Sequence, residues 1–230
     1  GSPAMRSVWI CPSRNRPANI ARLLDACDDT RAQSDLVVAV DDDDDQLAAY
    51  RELFNDVDPS QFHLVVGPRL RLGPTLNYIA PQYAGDYDAI GFLGDDHIPR
   101  TPRWDEYLGL AVQGGGLAYG NDLLQGANLA TAVIQSADIV RTLNQFCPPG
   151  QTHLYLDNYW MDLGRGLGRL TYLPDVILEH AHYIVGKAEQ DALYQEVNAP
   201  GMYTRDGEAY ARYRENQLPD DIAAVQAVWA

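Results

Sequence analysis

Ala89-Ile90-Gly91-Phe92-Leu93-Gly94-Asp95-Asp96-His97-Ile98-Pro99 sets an apolar run directly against two carboxylates. Five residues without a polar side chain have the length of a buried strand. The abrupt acidic end then places hard oxygen ligands at that strand's carboxyl end, the edge at which open α/β sheets bind their ligands. Aspartate in a turn also satisfies local backbone donors without any ligand. Taken alone, the stretch leaves a metal site and a helix-capping turn both open.

Outward from it, the chain alternates apolar strands with amphipathic helices. Ser7 to Cys11 reads as a strand and Pro12 to Pro17 as a loop; Ile20, Leu23, Leu24 and Cys27 then recur on one helical face. Strands follow at Leu36 to Val40 and Phe62 to Val66, with helices at Gln46 to Phe54 and Pro74 to Gln82. Such β-α-β units close with right-handed crossovers and cover a parallel sheet on both faces. Beyond Gln113 the pattern is mixed. Gly114-Gly115-Gly116 is a hinge or tight turn, because no strand-Gly-Lys-Ser/Thr context makes it a phosphate loop. Leu117 to Gly120, Ala130 to Gln135, Arg169 to Leu173 and Val176 to His182 read as strands; Ala137 to Leu143 and Asp157 to Leu167 read as helices, the second ended by Gly166 and Gly168. From Lys187 the chain is mostly helical, interrupted at Pro200-Gly201 and Pro219.

The 230 residues, 46% hydrophobic, suffice for one large domain with its own core. Gly1 to Ala4 ahead of Met5 read as a cloning remnant, and no apolar run reaches the roughly 18 residues a membrane span needs. A soluble, cytoplasmic protein is expected. Cys11, Cys27 and Cys147 leave one thiol over in any disulfide scheme and lack zinc-site spacing, so they are expected to be reduced core residues. A net charge of −15 argues against a nonspecific grip on duplex nucleic acid, which needs many Lys and Arg contacts to phosphate. Part of that charge lies in Asp41 to Asp45, a run that suits divalent cations.

Acidic residues fall at three comparable places: Asp41 after one strand, Asp95 and Asp96 after another, and Asp157 at the head of a later helix. In a doubly wound sheet these positions converge on one cleft. Within the run, Asp41 and Asp42 are the candidate ligands, and the later members are expected to cap the following helix. His180 and His182, two apart in a strand, face the same side, and one of them can join a carboxylate around manganese. The loop Pro12-Ser13-Arg14-Asn15-Arg16-Pro17 sits where a helix amino end can meet an anion, with Arg14 or Arg16 as charged partners. Arg69-Leu70-Arg71-Leu72-Gly73 precedes a helix in the same way, so either loop is a candidate diphosphate site.

These pieces, in this order over Val8 to Val197, resemble the GT-A glycosyltransferases of the large family-two type. The Asp95-Asp96-His97 turn looks like their DxD-type motif, with His97 where a strict motif has its last Asp. Asp41-Asp42 look like their uridine- and ribose-reading acids, and Leu156-Asp157-Asn158 like their Glu-Asp base motif, with Leu156 in place of Glu. The string Gly94 to Asp105 and Glu179-His180-Ala181-His182 with Gly186-Lys187 also look like a branch found in bacteriophage and actinobacterial genomes.

The resemblance implies an α/β, GT-A (Rossmann-like) fold, with a mostly parallel central sheet, flanking helices and a helical C-terminal tail. It implies a nucleotide-sugar-binding half over 5–113, an acceptor and catalytic half over 114–185, and a helical extension over 186–230. The implied reaction is metal-dependent transfer of a sugar from a nucleoside diphosphate, UDP above all, to an acceptor hydroxyl with inversion; without a carboxylate beneath the acceptor, retention is the alternative. Mn²⁺ or Mg²⁺ would be held by Asp96 and His182, with His180 as the rival. Asp157 would be the base, with Asp162 as the rival. Pro12, Ser13, Arg14, Arg16, Asp41, Asp42, Arg69, Arg71, Gly73 and Asp95 would line the nucleotide. The acceptor hydroxyl could belong to a modified DNA base, a protein, a lipid or a small molecule. A sugar-nucleotide nucleotidyltransferase and a non-catalytic carbohydrate-binding protein are the rival classes. The former normally has a glycine-rich loop after its first strand, and Pro12 to Pro17 contains no glycine.

Overall fold

The strand at Ser7–Ser13 (β1) sends Val8 and Ile10 to one face of a sheet and Trp9 and Cys11 to the other, and all four are buried. Period-two alternation with both sets apolar is what a strand covered on both sides requires. The same division runs through Asp35–Asp41 (β2), where Val37 and Ala39 join one core and Leu36, Val38 and Val40 the other. The computed structural model describes residues 5–181 and 200–230.

Further strands lie at Phe62–Gly67 (β3), Ala89–Phe92 (β4), His97–Pro99 (β5), Leu117–Asn121 (β6), Val133–Ser136 (β7) and Leu170–His180 (β8). They form a curled eight-stranded sheet in the order β3-β2-β1-β4-β7-β6-β8-β5. β1, β2, β3 and β4 are mutually parallel, β7 runs antiparallel to β4 and β6, and β6 is parallel to β8. The carboxyl ends of six strands therefore share one edge; β7 and β5 run the other way.

Helices Pro17–Asp29 (α1), Leu47–Leu53 (α2) and Trp104–Ala111 (α4) cover one face, while Leu72–Tyr83 (α3), Ala137–Leu143 (α5) and Leu156–Leu167 (α6) cover the other. In α1 the expected stripe Ile20, Leu23, Leu24 and Cys27 is the buried one. Gly91 leaves room for Trp9, whose ring atoms would lie 2.3–2.6 Å from a Cβ at that position. Trp9 in turn packs edge-on against Trp104 at 4.9 Å. The three cysteines are free and buried, and burial raises each thiol's pKa, that of Cys27 to about 12. Gly115 and Gly116 adopt φ of 95° and 134°, the turn expected of that triplet.

Pro200–Asn216 (α7) and Leu218–Trp229 (α8) pack back onto the body: Tyr210, Leu218 and Val225 enter the same core as α3 and α6. Tyr159 and Tyr213 both donate to Asp221, at 3.1 and 2.6 Å, and the Trp229 indole donates to Asp138 at 2.7 Å. Pro200 and Pro219 stand in the first turns of these helices, where a missing N–H is harmless. No helix of the described residues is long and apolar enough to cross a membrane.

Three elements depart from the sequence reading. The two strands expected at 169–173 and 176–182 are one strand, β8, through residue 180; its register against β6 shifts between Gly120 and Asn121, where Pro174 and its neighbours bulge outward. β5 and α4 were not anticipated. β5 is three residues long and carries no period of its own, yet its antiparallel pairing with β8 sets His97 opposite His180.

Candidate active site

A cleft of about 640 Å³ opens along the shared carboxyl edge. Asp41 from the end of β2, Asp95 and Asp96 from the turn after β4, and Asp157 from the first turn of α6 all line it. Asp42 does not. It is exposed, while Asp44 is buried and accepts from the Asn15 and Gln46 amides at 2.7 and 2.8 Å, capping the loop that leads into α2.

The two adjacent aspartates have separate environments. Asp95 is buried, takes the Ser13 hydroxyl at 2.8 Å and meets Arg16 at 3.3 Å. Burial and the neighbouring Asp96 charge raise its pKa, against the pull of Arg16 and Ser13. Ser13 is itself 2.7 Å from the Tyr50 hydroxyl, which accepts the Arg16 amide at 2.9 Å. Asp95 thus ties the β1–α1 loop to the turn after β4. Asp96 faces the cleft instead, with its Oδ2 3.0 Å from His180 Nε2.

Backbone pairing holds His180 there. Its amide donates to the Asp122 carbonyl and the Ala181 amide to the Asp96 carbonyl, both at 2.9 Å. Burial opposes protonation of His180, but the hydrogen bond to Asp96 and the charges of Asp96, Asp122 and Asp157 raise its pKa. His97 lies stacked on it, ring centroids 4.6 Å apart and 12° from parallel. Burial lowers the His97 pKa to about 4, so that ring is neutral near pH 7. His182 lies outside the described residues.

An aspartate oxygen and an imidazole nitrogen 3.0 Å apart at a cleft wall suit Mn²⁺ or Mg²⁺. Among the described residues no three His, Cys, Asp or Glu side chains converge into a metal cage.

The basic residues are less free than their loops suggest. Arg14 bridges Asp41 and Asp43 at 2.7 and 2.6 Å, and these bonds raise its pKa. Arg69 and Arg71 line the cleft, and so do the apolar residues Val40, Val65, Val66 and Ile79. His153 stands beside them. Burial first, then the Arg71 charge, lowers its pKa to about 4, and its buried Nε2 has no hydrogen-bond partner among the described residues.

The loop carrying His153 is held from both sides. Asp206 on α7 accepts from the His153 and Leu154 amides at 3.2 and 2.9 Å, and the Gly73 amide donates to the Thr152 carbonyl at 2.8 Å. Arg71, with φ 76° and ψ 174°, and Tyr155, with φ 66° and ψ 9°, precede α3 and α6 in conformations that favour glycine. Both line the cleft, where such strain commonly concentrates.

Gly73 contributes closeness rather than a ligand contact, because a Cβ there would sit 2.1 Å from the Gln151 carbonyl oxygen. Gly73→Ala should therefore push the 151–155 loop outward, costing about 1–3 kcal/mol as overpacking does and weakening nucleotide binding. Thermal unfolding and calorimetry with UDP check this; wild-type values in both would show that the loop yields freely.

Asp157 faces the cleft and Asp162 does not. Five residues on an α-helix turn a side chain by about 140°. Asp162 accordingly accepts the Tyr210 hydroxyl and lies 3.5 Å from Arg214, in a groove between α6 and α7. Burial raises the Asp157 pKa, with the Asn158 amide, donating at 3.0 Å, pulling the other way.

No family model matches the sequence, and no curated protein matches it. Solved structures do. A mannosyltransferase from Pyrobaculum calidifontis, in complex with GDP-Man and Mn²⁺, aligns over 98% of this chain and 74% of its own, with TM-score 0.59 and 16% identity. Glucosyl-3-phosphoglycerate synthase from Mycobacterium tuberculosis, with Mg²⁺ and UDP, aligns over 91% of this chain and 79% of its own, with TM-score 0.61 and 16% identity. The chain has the GT-A fold. S. aureus TarS 1-349, in complex with UDP, aligns over 76% of this chain and 59% of its own, with TM-score 0.56 and 13% identity. At these identities the likeness establishes the fold alone.

Sequence reasoning missed several groups that the fold brings to the cleft: Thr131, His153, Tyr155 and Trp160 line it, as does His97 of the expected motif, and Asp122 stands directly behind His180. Asp122 had a usable signal, since it follows the apolar strand Leu117 to Asn121 just as Asp95 follows β4. His153 and Tyr155 had none, being placed by a loop that α7 holds from 50 residues away in the chain (206 − 153 = 53, 206 − 155 = 51).

Proposed function

We propose that this chain is a metal-dependent glycosyltransferase that moves a sugar from a nucleoside-diphosphate sugar, a UDP-sugar foremost, to an acceptor hydroxyl with inversion. The observation that carries the reading is the convergence of Asp96, His180 and Asp157 on one cleft that Asp41, Arg69 and Arg71 also line. The structural neighbours' bound UDP, GDP-Man, Mn²⁺ and Mg²⁺ support it by analogy of fold.

In this reading the apolar part of the cleft lining takes the planar base and Asp41 reads its polar edge, with Arg14 holding that carboxylate in place. Arg69, Arg71 and His153 present positive and donor groups to the diphosphate. Asp96 and His180 would hold the cation, which when bound neutralises the charge that develops on the leaving diphosphate. Asp157 takes the proton from the acceptor hydroxyl, and the oxygen then attacks the sugar carbon from the face opposite the diphosphate. The buried Asp95, bonded to Ser13 and Arg16, fixes the turn that aims Asp96. A net charge of −15 disfavours duplex DNA as the acceptor and leaves protein, lipid and small-molecule hydroxyls.

A thermal-shift screen of nucleotide sugars with and without Mn²⁺ tests the donor half. A ligand at 100 times its dissociation constant stabilises the fold by about 2.7 kcal/mol. Transfer to a defined hydroxyl, rather than loss of sugar to water, tests the reaction. Stabilisation by nucleoside triphosphates and sugar phosphates instead, with pyrophosphate released, would make it a nucleotidyltransferase.

A further inference from the structure

The groove that holds Asp162 meets the cleft at one ring. Tyr155, Asn158, Asp162 and Arg165 recur at steps of three and four residues, so they share one side of α6. Opposite them α7 presents Gly207, Tyr210, Ala211 and Arg214 at the same spacing. The two stripes line a groove of about 740 Å³, within the range of small-ligand sites. Tyr155 is a wall of both the groove and the cleft. Asn158 lines the groove and follows Asp157, whose carboxylate accepts its amide at 3.0 Å. The groove therefore begins beside the carboxylate that faces the acceptor hydroxyl.

Its lining selects the kind of molecule that fits. Asp162 Oδ2 accepts the Tyr210 hydroxyl and lies 3.5 Å from Arg214, which fixes the carboxylate and leaves Oδ1 without a partner among the described residues. Asn158 and Arg165, both exposed, add an amide and a guanidinium on the same side. Tyr155 is half-buried and backed by the buried Tyr210, whose ring lies 12° from parallel at 6.3 Å. A saccharide matches this set, because its hydroxyls both donate and accept while its C–H face packs on an aromatic ring. Among the described residues no aliphatic side chain larger than alanine lines the groove, so neither a lipid chain nor an anchoring peptide side chain finds an apolar wall. Asp162 and Glu215 offset Arg165 and Arg214, which leaves no excess positive charge for a polyanion.

We propose that the groove between α6 and α7 is the acceptor subsite and that the acceptor is a saccharide, its reacting hydroxyl at Asp157 and its remainder lying past Tyr155 against Asp162 and Arg165. The inference rests on the reading that the cleft holds the donor and that Asp157 is the base. The hydroxyl proton passes to Asp157, the acceptor oxygen bonds the donor's sugar carbon, and the nucleoside diphosphate leaves with the electrons of the broken bond. The product is the same saccharide, longer by one unit.

The test uses Mn²⁺ and the nucleotide sugar that stabilises the wild-type chain, with three kinds of acceptor probe: the disaccharides lactose, maltose, mannobiose and chitobiose; a peptide containing serine and threonine; and dodecanol in detergent. Transfer to a disaccharide is expected, and to neither of the others. Ala211→Trp fills the groove from an exposed position on α7. It should raise the KM for the disaccharide at least about tenfold, with kcat and acceptor-free hydrolysis of the donor within about twofold of wild type. Arg165→Ala should raise that KM about tenfold, as expected for one lost hydrogen bond to a charged group. Transfer to the peptide or dodecanol instead, or to no probe while the donor is still hydrolysed, would overturn the saccharide. A wild-type acceptor KM in Ala211→Trp would overturn the groove and leave the donor cleft standing. Should that variant fail to fold, an unchanged KM in Arg165→Ala has the same consequence. A wild-type chain that neither binds nor hydrolyses any nucleotide sugar would overturn the reading of the cleft itself.

Discussion

Asp96→Ala is expected to abolish Mn²⁺-dependent binding of UDP and to lower sugar transfer by about 10³-fold, the equivalent of about 4 kcal/mol of lost charge stabilisation. The fold should survive. The Asp96 carbonyl, which accepts the Ala181 amide at 2.9 Å and keeps β5 beside β8, persists in any side-chain variant. Asp95, which binds the turn to Ser13 and Arg16, is untouched. Losing the Asp96 charge also removes a cause of the raised Asp95 pKa, so the turn gains what the cleft loses. Calorimetry with UDP, with and without Mn²⁺, checks the assignment: undiminished and still metal-dependent affinity in Asp96→Ala would remove this carboxylate from the site.

The contrast between Asp95 and Asp96 also marks where sequence reading stopped. That carboxylates end β4 was legible, because an apolar run stopping at polar residues is a local signal. Which of the two turns inward was not, since the decision belongs to Ser13 and Arg16, about 80 residues earlier in the chain (95 − 13 = 82, 95 − 16 = 79). The same holds for His180, which reaches Asp96 through a three-residue strand too short to show a period. The strand β2 was read to within one residue at each end, and the buried stripe of α1 was read residue by residue. Arg14 was legible as a cation of the loop after β1, which lines the cleft, but not as the partner of Asp41, because a pattern in sequence carries no distances. Asp122 obeys the strand-end rule already applied to Asp41 and Asp95, so it was legible in principle.

Asp157→Asn should retain donor affinity and lose about 10²- to 10⁴-fold in turnover, the usual cost of removing a general base. The amide fills the same space and can still accept the Asn158 amide, but it cannot take a proton from an acceptor hydroxyl. Burial raises the Asp157 pKa, so wild-type activity should rise with pH through a limb displaced above the ordinary aspartate value of about 3.9. The variant should lack that limb. Stability moves the other way. A carboxyl whose folded pKa exceeds its unfolded value stabilises most while protonated, and that contribution is lost as pH rises through the folded value. At neutral pH the ionised Asp157 is thus a cost, partly offset by its place at the amino end of α6, worth about 0.3–1 kcal/mol. The asparagine variant should be no less stable than wild type within about 1 kcal/mol, a pattern opposite to that of a structural residue. Asp162→Asn is the matched comparison: it loses its charge toward Arg214, across the groove between α6 and α7, and should lower the melting temperature while leaving turnover within a few-fold. Measured with the donor saturating, loss of transfer in Asp162→Asn alone would make Asp162 the base, and loss in neither variant would exclude an inverting mechanism based on α6.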